Sequence, residues 1–290
     1  MKVAVVGMGL IGGSFCKAIK KKTGHVVFGW NRSHSVIEQA FEEEAIDGEI
    51  TDLHELQRFD LVILGFHPEL TLKFCKEHID CFPKKGLTID TCGVKECIVK
   101  ELQPLFDEAE RPFIGTHPMA GREFSGFAYS LATLYDGASF IITPPEEVSP
   151  FHMALLREFA REVGFTRIVE TDVRTHDATI AYTSQVAHVL SNAYVKSPTL
   201  KNQSGFSAGS FKDLSRVAKL NADMWTELFM MNREALIFEI DTLVQNLTAY
   251  SDALKAEDRQ LLHELLQKGT DLKEWSIAQT SGAVNSGEHR

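Results

Sequence analysis

Residues 2–19 read KVAVVGMGLIGGSFCKAI: a run of β-branched residues, spaced glycines, then an amphipathic stretch. The order is strand, tight turn, helix. Gly7, Gly9 and Gly12 form G-x-G-x-x-G at the junction, with Leu10 and Ile11 between the last two. Such spacing serves a sharp turn, close backbone approach to a pyrophosphate, and tight helix–strand packing, with the phosphates on the helix N-terminus. Glycine spacing alone is a weak signal. Here it follows a clear strand and precedes a clear helix, the context that gives it meaning. These five residues are the first candidates for a dinucleotide site.

Outward from that unit, HVVFGW (25–30) reads as a second strand and ends in Asn31-Arg32-Ser33. An NAD site usually places an acid there for the ribose 2′-hydroxyl, whereas an arginine accommodates a 2′-phosphate. No acid is present, so NADP is favoured over NAD. DLVILGF (60–66), GLTIDTC (86–92), RPFIGTHP (111–118), SFIITPP (139–145) and FTRIVE (165–170) continue the strand pattern, with a helix around 152–163. Alternating buried strands and helices predict an α/β fold, a Rossmann-type doubly wound parallel sheet. Ligands of such sheets lie outside the carboxyl ends of the strands, where Phe66, His67, Thr91, Cys92 and His117 fall.

From about Thr171 the period changes. Apolar residues recur at helical spacing through 176–196, 222–249 and 258–267, interrupted mainly by SPTLKNQSGFSAGS (197–210). The expected organisation is a dinucleotide-binding domain over 1–170 and an all-helical domain over 171–290, the final SGAVNSGEHR (281–290) fraying. A hydrophobic helical domain of this kind makes a homodimer the default.

Composition narrows the class. With 290 residues, 44% hydrophobic and 24% charged, the chain has globular character. A formal net charge of -10 argues against nucleic acid or an anionic membrane as partner. No apolar run approaches the ~20 residues that span a bilayer, and no secretory signal follows Met1. The 5 cysteines form no CxxC pair, which points to reduced thiols in the cytoplasm and to no zinc or other metal.

Three further stretches carry a specific likeness. GTHPMAGREFSG (115–126), SQVAH (184–188) and GSFKDLSRVAKLNADMW (209–225), together with the glycine fingerprint, resemble the prephenate/arogenate dehydrogenase family of tyrosine biosynthesis. The resemblance covers essentially the whole chain. It implies a Rossmann domain followed by a helical dimerisation domain. It also implies NAD(P)-dependent oxidative decarboxylation of a small-molecule substrate: prephenate to 4-hydroxyphenylpyruvate, or, as the alternative, arogenate to tyrosine. His117 matches the family's catalytic histidine. A neutral imidazole, with a reference pKa near ~6.5, suits the proton that the ring 4-hydroxyl must lose as hydride leaves its carbon.

Arg216 matches the residue that grips the ring carboxylate, for which a planar guanidinium offers bidentate bonds. Lys212, four residues earlier, shares its face if a helix has begun. His188 matches a position beside the side-chain keto or amino group; as a neutral donor it favours prephenate. Gln185 stands where many relatives have histidine. Glu123 and Asp213 match the acidic members of an ion-pair network, and Gly209 and Trp225 match positions bordering the pocket. One departure stands out. In DTCGVK (90–95), Gly93 replaces the family's serine, whose hydroxyl contacts the catalytic histidine and the substrate, while Lys95 is retained. Thr91, Cys92 or a water are the candidates to stand in for it. The other readings are a 3-hydroxyacid or imine-type dehydrogenase, which would lack HPMAG, and a cofactor-binding regulator without catalysis.

Overall fold

The run Val3–Val6 is wholly buried, and its neighbours explain why. In a computed structural model describing residues 1–285, with side chains described through 279, this run lies in β1 (Lys2–Val6), an interior strand of a sheet. It is followed by α1 (Leu10–Lys22), whose three C-terminal lysines suit the negative end of the helix dipole. Next come β2 (Val26–Trp30), α2 (His34–Glu42), the short β3 (Gly48–Glu49), β4 (Leu61–Leu64) and α3 (Pro68–Glu77). β5 (Leu87–Asp90), α4 (Glu96–Glu108), β6 (Phe113–Pro118), β7 (Ser139–Thr143), α5 (Pro150–Glu162) and β8 (Arg167–Glu170) complete this layer.

The eight-stranded sheet has the order β3-β2-β1-β4-β5-β6-β7-β8. β1 pairs with β2 on one side and β4 on the other, so the chain reverses its winding direction at β1, the switch point where ligands of open α/β sheets bind. Side chains alternate across the sheet with period two. Val3 and Val5 meet Phe15, Ile19, Leu156 and Phe159 on one face; Ala4 and Val6 join Phe74, Ile98, Leu102 and Phe106 on the other. Both faces are covered, as a parallel sheet requires.

Parallel pairing runs from β3 through β6, and then the pattern departs from expectation. β7 pairs antiparallel to β6, with His117 opposite Ile141, and β8 runs parallel to β7. The segment 119–138 therefore carries no crossover helix and folds back onto α1. There Lys17 donates to the Ser130 carbonyl at 3.0 Å, the Leu131 N–H donates to the Ser14 hydroxyl at 3.0 Å, and the Tyr135 hydroxyl donates to the Ile11 carbonyl at 2.7 Å.

The helical half begins with α6 (Val173–Ile180), N-capped by Asp172, which accepts from the N–H groups of Arg174 and Thr175. A π turn over Ala181–Gln185 joins it to α7 (Val186–Tyr194). After the interruption come α8 (Gly209–Ser215), α9 (Ala222–Met231), α10 (Arg233–Lys255) and α11 (Arg259–Asn285). The expected helix over 222–249 is thus two helices meeting at Asn232. Of the tail expected to fray, 281–285 continues α11, and 286–290 lies outside the described residues. The chain forms two compact units, Met1–Leu236 and Ile237–Arg290. In the second, the Tyr250 hydroxyl donates to the Leu265 carbonyl at 3.2 Å, joining α10 to α11.

Two glycines carry the β1–α1 turn. Gly7 has φ +92°, a conformation that disfavours any side chain, and a methyl group on Gly12 would lie 2.0 Å from the Gly7 carbonyl oxygen. Gly9 differs, since a methyl group there meets nothing within 4 Å. Gly12→Ala should therefore lower the unfolding free energy by ~1–3 kcal/mol through overpacking, whereas Gly9→Ala leaves thermal unfolding close to wild type.

Candidate active site at the carboxyl ends of the strands

Gly9 caps α1 without any side-chain acceptor, so the first turn of the helix offers free N–H groups beside an open glycine face. That combination suits a pyrophosphate. Leu10 and Ile11 are half-buried in this turn. Asn31, just past β2, accepts from the Met8 N–H at 3.0 Å and so fastens the glycine loop to the strand end. Arg32 is exposed beside it, and the Ser33 hydroxyl pairs with that of Ser35 at 2.9 Å. The Phe66 ring fills the space where a side chain on Gly7 would go, and exposed His67 caps α3. The arrangement fits a dinucleotide.

Thr91 and Cys92 are turned inward. The Thr91 hydroxyl donates to the Leu64 carbonyl at 2.9 Å, and Cys92 Sγ lies 3.5 Å from the Thr71 hydroxyl and 3.8 Å from the Phe66 carbonyl. Burial, with help from Asp90, pushes the Cys92 thiol well up from its ordinary value. Neither residue hydrogen-bonds His117, so neither replaces the missing serine.

The partner of His117 is His176. His117 Nδ1 lies 3.0 Å from His176 Nε2, and His176 Nδ1 lies 2.6 Å from Asp177 Oδ1. Asp177 in turn accepts the N–H groups of Lys95 at 2.8 Å and Glu96 at 2.9 Å, where α4 begins. The His176 and Asp177 side chains are 0% and 4% exposed. His117 itself is half-buried. Burial, then the His176 ring and the Lys95 charge, hold its imidazole well below the ordinary value, so the neutral form is favoured. Its Nε2 faces Gly93, where a side-chain carbon would lie 3.7 Å away and 3.8 Å from Leu228 of α9.

Behind this row sits a second buried group. Lys95 pairs with Asp90, both side chains 0% exposed, and Asp90 also accepts the N–H groups of Cys92 at 2.9 Å and Thr116 at 3.0 Å. The carboxylate thus ties the end of β5 to β6 one residue before His117. The sequence reading kept Lys95 but missed Asp90, His176 and Asp177. The available signal was an adjacent His–Asp pair one turn before the apolar Ile180–Ala181, on the face that α6 buries.

His188 and Trp225 come together, ring centroids 4.1 Å apart. His188 Nδ1 lies 2.8 Å from the Ser184 carbonyl, which only accepts, so this nitrogen carries the proton. The neutral ring then presents Nε2 as an acceptor, contrary to the donor expected from sequence. Gln185 is buried and belongs to the scaffold: its carbonyl accepts from Asn232 at 2.8 Å, and Asn232 also donates to the Asp177 carbonyl at 2.9 Å. Arg216 follows α8 in helical conformation, so Lys212 and Arg216 share a face. Gly209, Lys212, Asp213, Arg216 and Glu123 are all exposed. The four charged side chains of that set form no ion pair among the described residues.

A glycine-turn Rossmann layer, a histidine at a nearby strand end and a helical continuation define a nicotinamide-dependent oxidoreductase. The chain belongs to the prephenate dehydrogenase family: residues 15–169 match its nucleotide-binding domain and residues 172–268 its dimerization domain. It is 26% identical over 282 residues to a prephenate dehydrogenase of Lactococcus lactis, covering 94% of this chain and 77% of that one. It is similar to the Synechocystis arogenate dehydrogenase structure, with TM-score 0.82, 27% identity, and coverage of 95% of this chain and 100% of that one. It also resembles the A. aeolicus prephenate dehydrogenase complex with hydroxyphenyl propionate and NAD+, with TM-score 0.84, 26% identity, and coverage of 96% and 98%. Among the described residues no cluster of His, Cys, Asp and Glu could hold a metal ion, and no helix is long and apolar enough to cross a membrane.

Removing the cation of the buried pair leaves Asp90 uncompensated. Lys95→Met should cost ~3–5 kcal/mol, read as a lowered urea midpoint at unchanged m-value.

Proposed function

We propose that the chain oxidatively decarboxylates prephenate to 4-hydroxyphenylpyruvate, with His117 as the general base. The observation that carries this reading is His117 on the strand end, held by one ring nitrogen and leaving the other toward Gly93, which brings no side chain of its own. His117 Nε2 takes the 4-hydroxyl proton, and the oxygen's electrons form the carbonyl as hydride leaves the ring carbon. A bound nicotinamide supplies the hydride acceptor. The ring C–carboxylate bond then breaks and CO2 departs; its electron pair enters the ring and returns the carbonyl to a phenolate oxygen, which takes back the proton from His117, and aromatisation makes the step effectively irreversible. Arg216, aided by Lys212, binds the ring carboxylate; Trp225 and Gly209 border the substrate, and Glu123 and Asp213 set the charge around it.

NADP is the proposed cofactor, because Asn31, Arg32 and Ser33 bring no carboxylate to the end of β2 and an exposed guanidinium stands there instead. Arogenate is the second reading, and one observation favours it: an acceptor nitrogen on His188 suits an ammonium better than a keto oxygen. We assign a homodimer on the dimerization-domain match and on exposed apolar residues such as Phe238, Val244, Leu247 and Leu254 along α10. The free cysteines suit the cytoplasm, and the net charge of -10 suits neither a nucleic-acid nor a membrane partner.

Steady-state kinetics with prephenate and arogenate, each with NADP+ and NAD+, test the assignment. The expected outcome is the highest kcat/KM for prephenate with NADP+; no turnover of either substrate would sink the reading. His117→Asn should lower kcat by ~10²–10⁴-fold. Because the imidazole is held below its ordinary value, the acid limb of the kcat/KM profile should fall below pH 6.5, with a plateau above it.

A further inference from the structure

We propose that Asp177 and His176 act as positioning residues that fix the tautomer of His117, keeping its Nε2 unprotonated and facing the reacting hydroxyl. The inference rests on His117 being the base. Both Asp177 oxygens already accept main-chain N–H groups, from Lys95 at 2.8 Å and Glu96 at 2.9 Å, so the carboxylate acts as an acceptor on each of them. His176 Nδ1, 2.6 Å from Oδ1, must then donate. A neutral His176 carries no second proton, so its Nε2 accepts, and among the described residues the group facing it at 3.0 Å is His117 Nδ1. His117 therefore holds its proton on Nδ1. The free lone pair falls on Nε2, the nitrogen beside Gly93. Hydrogen bonding at one imidazole nitrogen sets the state of the other, and here the setting is transmitted through a second imidazole.

Gly93 supplies no side chain to the histidine; in this chain the ring is held from the opposite edge, through Nδ1.

The test compares Asp177→Asn, His176→Leu and His176→Gln with wild type. Histidine-15N NMR reads the tautomer without reference to activity. Wild-type His117 should be protonated on Nδ1. Glutamine at 176 keeps an acceptor for that proton, so His176→Gln should retain the tautomer and lie within about tenfold of wild-type kcat. His176→Leu and Asp177→Asn should lose on the order of 100-fold in kcat at KM within about threefold, with the Asp177→Asn proton moving to Nε2. Wild-type His117 protonated on Nε2, or His176→Leu within about threefold of wild-type kcat, overturns the proposal. Should Asp177→Asn fail to fold, the wild-type tautomer and the two His176 variants decide alone. A wild type with the Nδ1 tautomer that oxidises neither substrate would uphold the tautomer relay and remove the assigned reaction.

Discussion

One carboxylate organises the site. Asp177 takes N–H groups from Lys95, Glu96 and His176, and its own carbonyl takes one from Asn232. The N–H donors at 95 and 96 open α4, where the helix dipole favours negative charge. α6 starts beyond β8 at the sheet edge, yet through Asp177 it is fastened to the segment that follows β5, near the middle of the strand order. Four parts of the chain meet there: the start of α4, α6, the turn between α9 and α10, and, through His176, the end of β6.

The neighbouring buried pair makes that anchorage rigid. Lys95 and Asp90 lie wholly out of water, a costly arrangement unless every donor and acceptor finds a partner. Asp90 does so with the N–H groups of Cys92 and Thr116, so the strand carrying His117 is gripped immediately before the histidine. The same lysine sits close enough to disfavour a second positive charge on the imidazole. Scaffold and electrostatics thus come from one set of side chains.

Much of this was legible in the chain, in proportion to how local each constraint is. The glycine turn is readable because its demands fall on Gly7, Gly9 and Gly12 within six residues of one another. His117 is readable because the strand that carries it ends there. The reversal of β7 is not: SFIIT is as apolar as a parallel strand, and direction lies in the connection. The absence of helical periodicity over 119–138 was the usable sign, since a parallel crossover needs a dozen or more residues and usually a helix. The break at Asn232 escaped because apolar residues continue through it on both sides. The His176–Asp177 pair escaped for another reason. Helical spacing tells which face is buried but not what the buried face meets, and its partners lie 59 and 82 positions away. The proton on His188 depends on a carbonyl inside a π turn, which no composition signal announces.

The antiparallel turn of β7 has a consequence for how this chain tolerates change. The excursion after Pro118 leaves the sheet at the end of β6 and re-enters it in the adjacent β7, and from Ser130 onward it is stapled to α1. Between those fixed points, Gly121 to Gly126 is exposed throughout; a side chain added at Gly121 would meet nothing within 4 Å, whereas Gly126, at φ +96°, disfavours one. Length variation among descendants of this sequence has room in that span so long as Glu123 keeps its place beside the substrate. The staples on either side would absorb it before it reached the glycine turn or the β6 register.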